Sequence, residues 1–311
     1  AVGLLSVRRM KLTGDVYFLA GRSLGWSVVG AALFASNIST IHLVGLAQDG
    51  YKRGLVVGNF EWMATFTLII LALVFAPFYF RTRISTLPEF LERRYSPAAR
   101  SLLAFMFIMS ALLIHIGISL YAGAAVFQQF FGINVYASIV IISVVTAVYT
   151  VVGGLRAVVV TETIQAVILL AGAVVVTLLA LFSLPEVGID SFSALKEATR
   201  EHQLSMLHTS NEEGYAWYAF LLGYPILGLW YWCTDQTIVQ RVLGARTEKD
   251  AQLGALFAGL LKILPLFLMV LPGVFAYVLF LELFGDQANQ TLPVLISQLV
   301  PTGILGFIDA A

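Results

Sequence analysis

Seven apolar stretches, each long enough to cross a bilayer, run through this chain at about 26–48, 55–80, 101–130, 134–152, 158–184, 214–240 and 252–281. A helix rises about 1.5 Å per residue, so about 20 apolar residues cross a hydrocarbon core of roughly 30 Å. Strands are nowhere supported, and the fold class expected is an all-α membrane protein. An eighth span begins near Thr302, so the chain reads as a piece of a longer polypeptide.

Composition narrows the function classes. Hydrophobic residues make up 59% of the chain and charged residues 12%, against about 25% charged in soluble domains. Net charge is zero, which argues against nucleic acid as a partner. The single cysteine, Cys233, lies inside an apolar segment. No disulfide framework or metal spacing is present, and no nucleotide loop or paired nucleophile and base. The chain does not read as an enzyme.

Charge sets the sidedness. Arg8, Arg9, Lys11, Arg22, Arg81, Arg83, Arg93, Arg94, Arg100, Arg156, Arg241, Arg246 and Lys249 fall on one side of the expected spans, and Lys52, Arg53, Lys196 and Arg200 on the other. The richer side is cytoplasmic by the positive-inside rule. Residues 1–25 are then a cytoplasmic segment and 185–213 an external loop carrying a short surface helix near Ser191–His202. The run from Thr86 to Tyr95 predicts a cytoplasmic helix capped by Thr86, with Pro88 and Glu89 in its first turn.

Polar residues at membrane depth are costly and read as functional sites. Ser36, Asn37, Ser39, Thr40 and His42 cluster near the centre of Trp26–Tyr51. A helix interrupted there frees backbone carbonyls for a cation and aims half-helix ends at a solute. Glu61 stands in an apolar helix. It is either a helix-end residue near the external interface, or an acceptor for solute hydroxyls or a cation. Lys262 lies ten residues into its span; it either snorkels to the cytoplasmic face or serves the site. Pro265 behind it bends that helix. Tyr231 and Trp232 suit a sugar face or a gate, whereas Asp235 reads as a cap or an ion-pair partner near Arg241. Glu162 is either a carboxylate favoured by a helix N-terminus or part of a cation path. His115 reads as a satisfied bundle histidine.

At these residues the chain resembles the sodium/solute symporter family, and within it the sodium/glucose cotransporter branch. The matching stretches are Phe18-Leu-Ala-Gly-Arg-Ser-Leu24, Ala35-Ser-Asn-Ile-Ser39 with His42 and Gly45, Phe60-Glu-Trp62 and Val151-Val-Gly-Gly-Leu155. Thr161-Glu-Thr-Ile-Gln165, Trp230-Tyr-Trp-Cys-Thr-Asp-Gln236, Val239-Gln-Arg241, Lys262 and Leu271-Pro-Gly273 complete the set.

The resemblance implies an inverted-repeat (5+5) transporter core whose first and sixth helices are broken. The first five-helix repeat falls at 26–184 and a partial second repeat, truncated, at 214–311. Sodium (Na+) is implied at the backbone carbonyls of Ala35 and Ile38, with further sodium hydroxyls expected past Ala311. The implied sugar ligands are Asn37, His42, Glu61, Trp232 and Lys262. Tyr231 is the implied inner gate, and Glu162 stands where the family more often has aspartate. The expected activity is secondary-active symport of sodium with a glucose- or galactose-like sugar by alternating access, in the lipid bilayer of the plasma membrane. The alternatives are another solute (myo-inositol, an amino acid, a monocarboxylate) or a sugar-gated sensor or channel. Glu61 is expected to disfavour anionic solutes.

Overall fold

The fold is taken from a computed structural model, which describes residues 13–38, 40–209, 215–280 and 291–300, without the side chains of 40, 41, 43, 129 and 130. Ser39 of the polar cluster, the basic residues before Thr13 and the span expected from Thr302 lie outside the described residues. Within them the chain is helical, and the nearest approach to a strand is two isolated bridges, Leu24 with Ala245 and His208 with Ala216. Four helical runs are long and apolar enough to cross a membrane: Val44–Thr82, Pro97–Gln128, Val135–Val187 and Glu248–Leu279.

The other two expected spans fall short as continuous helices because each is broken. Helix α2 (Trp26–Asn37) stops where α3 (Thr40–Arg53) has yet to begin, with Ile38 in neither; it follows α1 (Gly14–Leu19). Further on, α11 (Trp217–Gly228) passes into a π-turn (Leu229–Thr234), and the chain leaves helical geometry at Asp235 before α12 (Gln236–Leu243). Asp235 has extended φ/ψ, and its carboxylate accepts the Thr237 N–H at 2.8 Å. It is therefore the α12 N-cap, and the ion-pair alternative is not taken.

The remaining elements are α4 (Asn59–Ile70), a π-turn (Leu71–Phe75), α5 (Ala76–Thr82), α6 (Leu87–Arg94), α7 (Pro97–Ser110), a π-turn (Ala111–His115) and α8 (Ile116–Phe131). They continue with α9 (Val135–Ser183), α10 (Phe192–Ala198), α13 (Glu248–Leu261), a π-turn (Leu266–Val270), α14 (Leu271–Leu279) and α15 (Thr291–Leu299). The Thr86 hydroxyl accepts the Glu89 N–H, and the Glu89 carboxylate accepts the Ser85 N–H at 2.8 Å, which fixes the start of α6 as the sequence predicts. The surface helix is shorter than expected, Phe192–Ala198 capped by Ser191.

The two expected spans, 134–152 and 158–184, are two helical stretches that α9 takes together, and they part at a sharp turn at Gly154, inside the expected gap. Gly154 has φ 57° and ψ −161°, which a residue with a side chain scarcely adopts. The turn is held from α1: the Tyr17 hydroxyl donates to the Val151 carbonyl at 3.0 Å. His115, expected to be packed in the bundle, is exposed on its helix.

The chain divides into two compact units interleaved in sequence. The first holds the described residues of 13–37, 67–164 and 229–258. Inside it α2 and α13 meet at small residues: a Cβ on Gly30 would lie 2.7 Å from the Gly254 carbonyl, and one on Gly254 2.7 Å from Val29. Backbones approach closely only where side chains are this small. The second holds those of 38–66, 165–228 and 259–300. Its core gathers Val56, Val57, Phe220, Leu266 and Val270. Here α3 is helical to Arg53 rather than ending at residue 48 as the hydropathy suggests. The expected external loop folds back on its end. Buried Gln203 donates to the Tyr51 carbonyl at 3.0 Å and its carbonyl accepts the Leu55 N–H at 2.9 Å.

Candidate functional site

In the second unit, α4 carries Glu61 in its first turn and α13 ends just before Lys262. Pro265 has no N–H to offer the turn before it. The helix loosens at Lys262 and Ile263, and α4 side chains take up carbonyls there. Thr65 donates to Gly259 O at 2.9 Å and Trp62 to Ile263 O at 3.3 Å. This stitching sets α4 against the loosened turn and aims Lys262 at Glu61. Lys262 Nζ lies 2.5 Å from Glu61 Oε2, and both side chains are buried. The snorkelling and interface readings therefore fall away: charges this far from water persist only as a pair. Half-buried His42 on α3 is within electrostatic reach of both.

In the first unit, Asn37 ends α2 and donates from Nδ2 to the Tyr231 hydroxyl at 3.2 Å. Tyr231 meets Trp232 edge to face, centroids 5.1 Å apart. Trp232 is fully buried and Tyr231 half-buried, both within the π-turn, a geometry common at functional sites. Ala35 lies in the last turn of α2, where main-chain carbonyls outrun the helix's own donors. Ile38 follows in the break and is buried.

Glu162 sits well inside α9, eight residues past Gly154, so a helix-terminus dipole is not what holds it. Its Oε1 accepts from Arg241 Nη2 at 2.5 Å and from Ser36 Oγ at 3.0 Å. Arg241 was not expected as this partner. The signal was there in the sequence, because a carboxylate at depth needs a counter-charge and α12 carries a single cation. Glu162 Oε2 and Arg241 Nε are buried and, among the described residues, without hydrogen-bond partners. The Tyr79 hydroxyl, also unforeseen, donates at 2.5 Å to the Cys233 carbonyl near the end of the π-turn.

The sodium:solute symporter family model matches residues 17–311. The chain belongs to that family. Its members are transporters, not enzymes, and with four helical runs among the described residues long and apolar enough to cross a membrane the chain is an integral membrane protein. It is 34% identical to a sodium/myo-inositol cotransporter of Homo sapiens over 94% of its own length and 46% of that protein. It is also 34% identical to sodium/glucose cotransporter 1 of Oryctolagus cuniculus, over 98% and 51%. The symporter chain thus spans about half the length of these relatives. A solved Na+-coupled sialic acid symporter in a substrate-bound outward-open state superposes with a TM-score of 0.85 at 23% identity, covering 99% of this chain and 65% of that one. At that identity the likeness speaks for the fold, which is the all-α, broken-helix transporter core expected from the sequence.

Proposed function

We propose that the whole protein is a secondary-active symporter that moves sodium with a glucose- or galactose-like sugar by alternating access in the plasma membrane. The observation that carries this is the buried Glu61–Lys262 pair. A carboxylate accepts from two hydroxyls and an ammonium donates three hydrogen bonds, a set suited to a polyhydroxyl solute. His42 adds a third polar group near that pair. Asn37 and Trp232 supply further solute contacts, and Tyr231 is the gate. Sodium, as cargo, takes the carbonyls of Ala35 and Ile38, and Glu162 lies on its path. The first repeat is 26–184 and the partial second repeat 214–311, joined by an external loop at 185–213.

Myo-inositol is the second reading, favoured by the similarity to sodium/myo-inositol cotransporters. The objection to anionic solutes is weaker than Glu61 alone suggests, because Lys262 cancels its charge. The test is uptake of labelled glucose, galactose and myo-inositol by the full-length protein in proteoliposomes under an inward sodium gradient. Full uptake driven by a proton gradient, with potassium in place of sodium, would remove the sodium assignment. Sodium-dependent counterflow separates a symporter from a sugar-gated sensor or channel.

A further inference from the structure

Within the first unit, four arginines face one cavity of about 600 Å3. Arg22 comes from the turn after α1, Arg81 and Arg83 from the end of α5, and Arg246 from the turn before α13; Phe80 and Glu248 share the lining. Charge there is four positive against one negative. Arg246 is committed to Asp250, with its Nε 3.2 Å from Oδ2. Arg22, Arg81 and Arg83 have no hydrogen-bond or ion-pair partner among the described residues, although Glu89, Glu92, Glu162 and Asp250 of the same unit all engage arginines.

The backbone holds one of these arginines in an unusual pose. Arg22 has φ 49°, whereas the φ 48° of Arg83 is the left-handed cap that ends α5. Such conformations persist where surrounding structure imposes them, and they gather at binding sites. For Arg22 the constraint is visible next door: Leu24 donates to Gly244 O at 3.1 Å and Arg246 donates back to Leu24 O at 2.9 Å. That reciprocal pairing brings the Arg22 turn alongside Arg246.

We propose that this cavity binds a phosphate-bearing anion. The guanidinium is a planar fork of five donors that matches phosphate oxygens, and three forks here are paired with no acceptor among the described residues. Arg81 and Arg83 flank the end of the apolar run Val44–Thr82, at the level where headgroups meet water. A phospholipid headgroup is therefore the favoured source, with free phosphate the other.

The test uses the full-length protein in phosphatidylcholine nanodiscs. One arm is titrated with dioctanoyl phosphatidylinositol bisphosphate and the other with inorganic phosphate, reading binding by thermophoresis. Arg81→Gln/Arg83→Gln weakens binding by about tenfold or more, the scale of a lost hydrogen bond to a charged group. Arg81→Lys/Arg83→Lys keeps part of it, since charge remains while the fork is lost. Arg100→Gln, which breaks a pair with Glu92 away from the cavity, leaves binding unchanged. The melting temperature without ligand reports whether each variant is folded, and Arg22→Gln replaces any that is not. Saturable binding in either arm with this variant pattern supports the cavity and names the source. No saturable binding in both arms, or equal weakening by Arg100→Gln, overturns it.

Discussion

Lys262 Nζ and Glu61 Oε2 are 2.5 Å apart, with Lys262 1% and Glu61 5% exposed. Two hundred residues of chain separate them, so the pair ties distant parts of the sequence into one unit. Glu61→Gln leaves an ammonium buried without its counter-charge, and stability of the full-length protein falls by about 3–5 kcal/mol. Thermal unfolding in detergent measures this. Glu61→Gln/Lys262→Met recovers most of the loss but not solute binding, which weakens by about 1.5–3 kcal/mol in the single variant. Sodium affinity changes much less. A double variant that binds solute like the wild type reduces the pair to scaffolding.

Tyr231→Phe removes the hydroxyl that accepts from Asn37 and keeps the ring against Trp232. The loss is about 1 kcal/mol, so part of the sugar accumulation survives. Tyr231→Ala loses ring and hydroxyl together and abolishes accumulation. Wild-type uptake by both variants makes Tyr231 a packing residue.

Glu162→Gln strips Arg241 of its buried partner and destabilises by about 3–5 kcal/mol. Glu162→Gln/Arg241→Gln avoids the stranded charge and allows transport to be read. If Glu162 serves the cation, the sodium concentration for half-maximal uptake rises about tenfold in the double variant. An unchanged value confines the pair to structure.

Much of this was readable in the sequence, and the failures have a common cause. The break after Asn37 and the cap at Thr86 are local, written in a few neighbouring residues, and both occur as expected. Partners are not local. Nothing within a helical turn of Glu162 announces Arg241, and nothing near Lys262 announces Glu61. Hydropathy does place a break between 152 and 158, and Gly154 turns the chain there from one helical stretch to the next. It ends the first span too early, at residue 48, since Lys52 and Arg53 look like loop residues until Gln203 is seen covering the turn after them. His115 reads as interior because it stands alone in an apolar helix with Ser119 one turn away, and a lone polar residue carries no information about which face it occupies.

Gly154→Ala is strained by about 1–3 kcal/mol from its backbone conformation alone. The added Cβ would also lie 2.6 Å from the Tyr17 carbonyl oxygen. Gly132→Ala, also at positive φ but facing open space, costs less. Melting temperatures of the two variants give the comparison, and equal shifts would show that the contact with Tyr17 adds nothing.

Partial burial alone would raise the Glu89 carboxyl, but the Ser85 N–H and the Arg93 guanidinium outweigh it and hold the group below its ordinary value. A folded value below the unfolded one means stability that is fully present above the unfolded value and lost as pH falls through the folded one. Stability of the wild type therefore falls on acidification below about pH 4 by more than that of Glu89→Gln. Parallel acid profiles would show that Glu89 is not coupled to folding.

The π-turns give chain length a meaning of its own. A π-turn holds one more residue than an α-turn, and one residue of α-helix corresponds to about 100° of rotation. Removing a single residue from Leu229–Thr234 would leave an α-turn in place of a π-turn, still one full turn, so Asp235 and the cap of α12 keep their aim, whereas the same deletion in an α-turn would swing everything beyond it by that angle. Such stretches absorb a one-residue insertion or deletion that a regular helix would transmit. A one-residue gap there between two relatives marks a face that is kept, with only the residues inside the turn trading places.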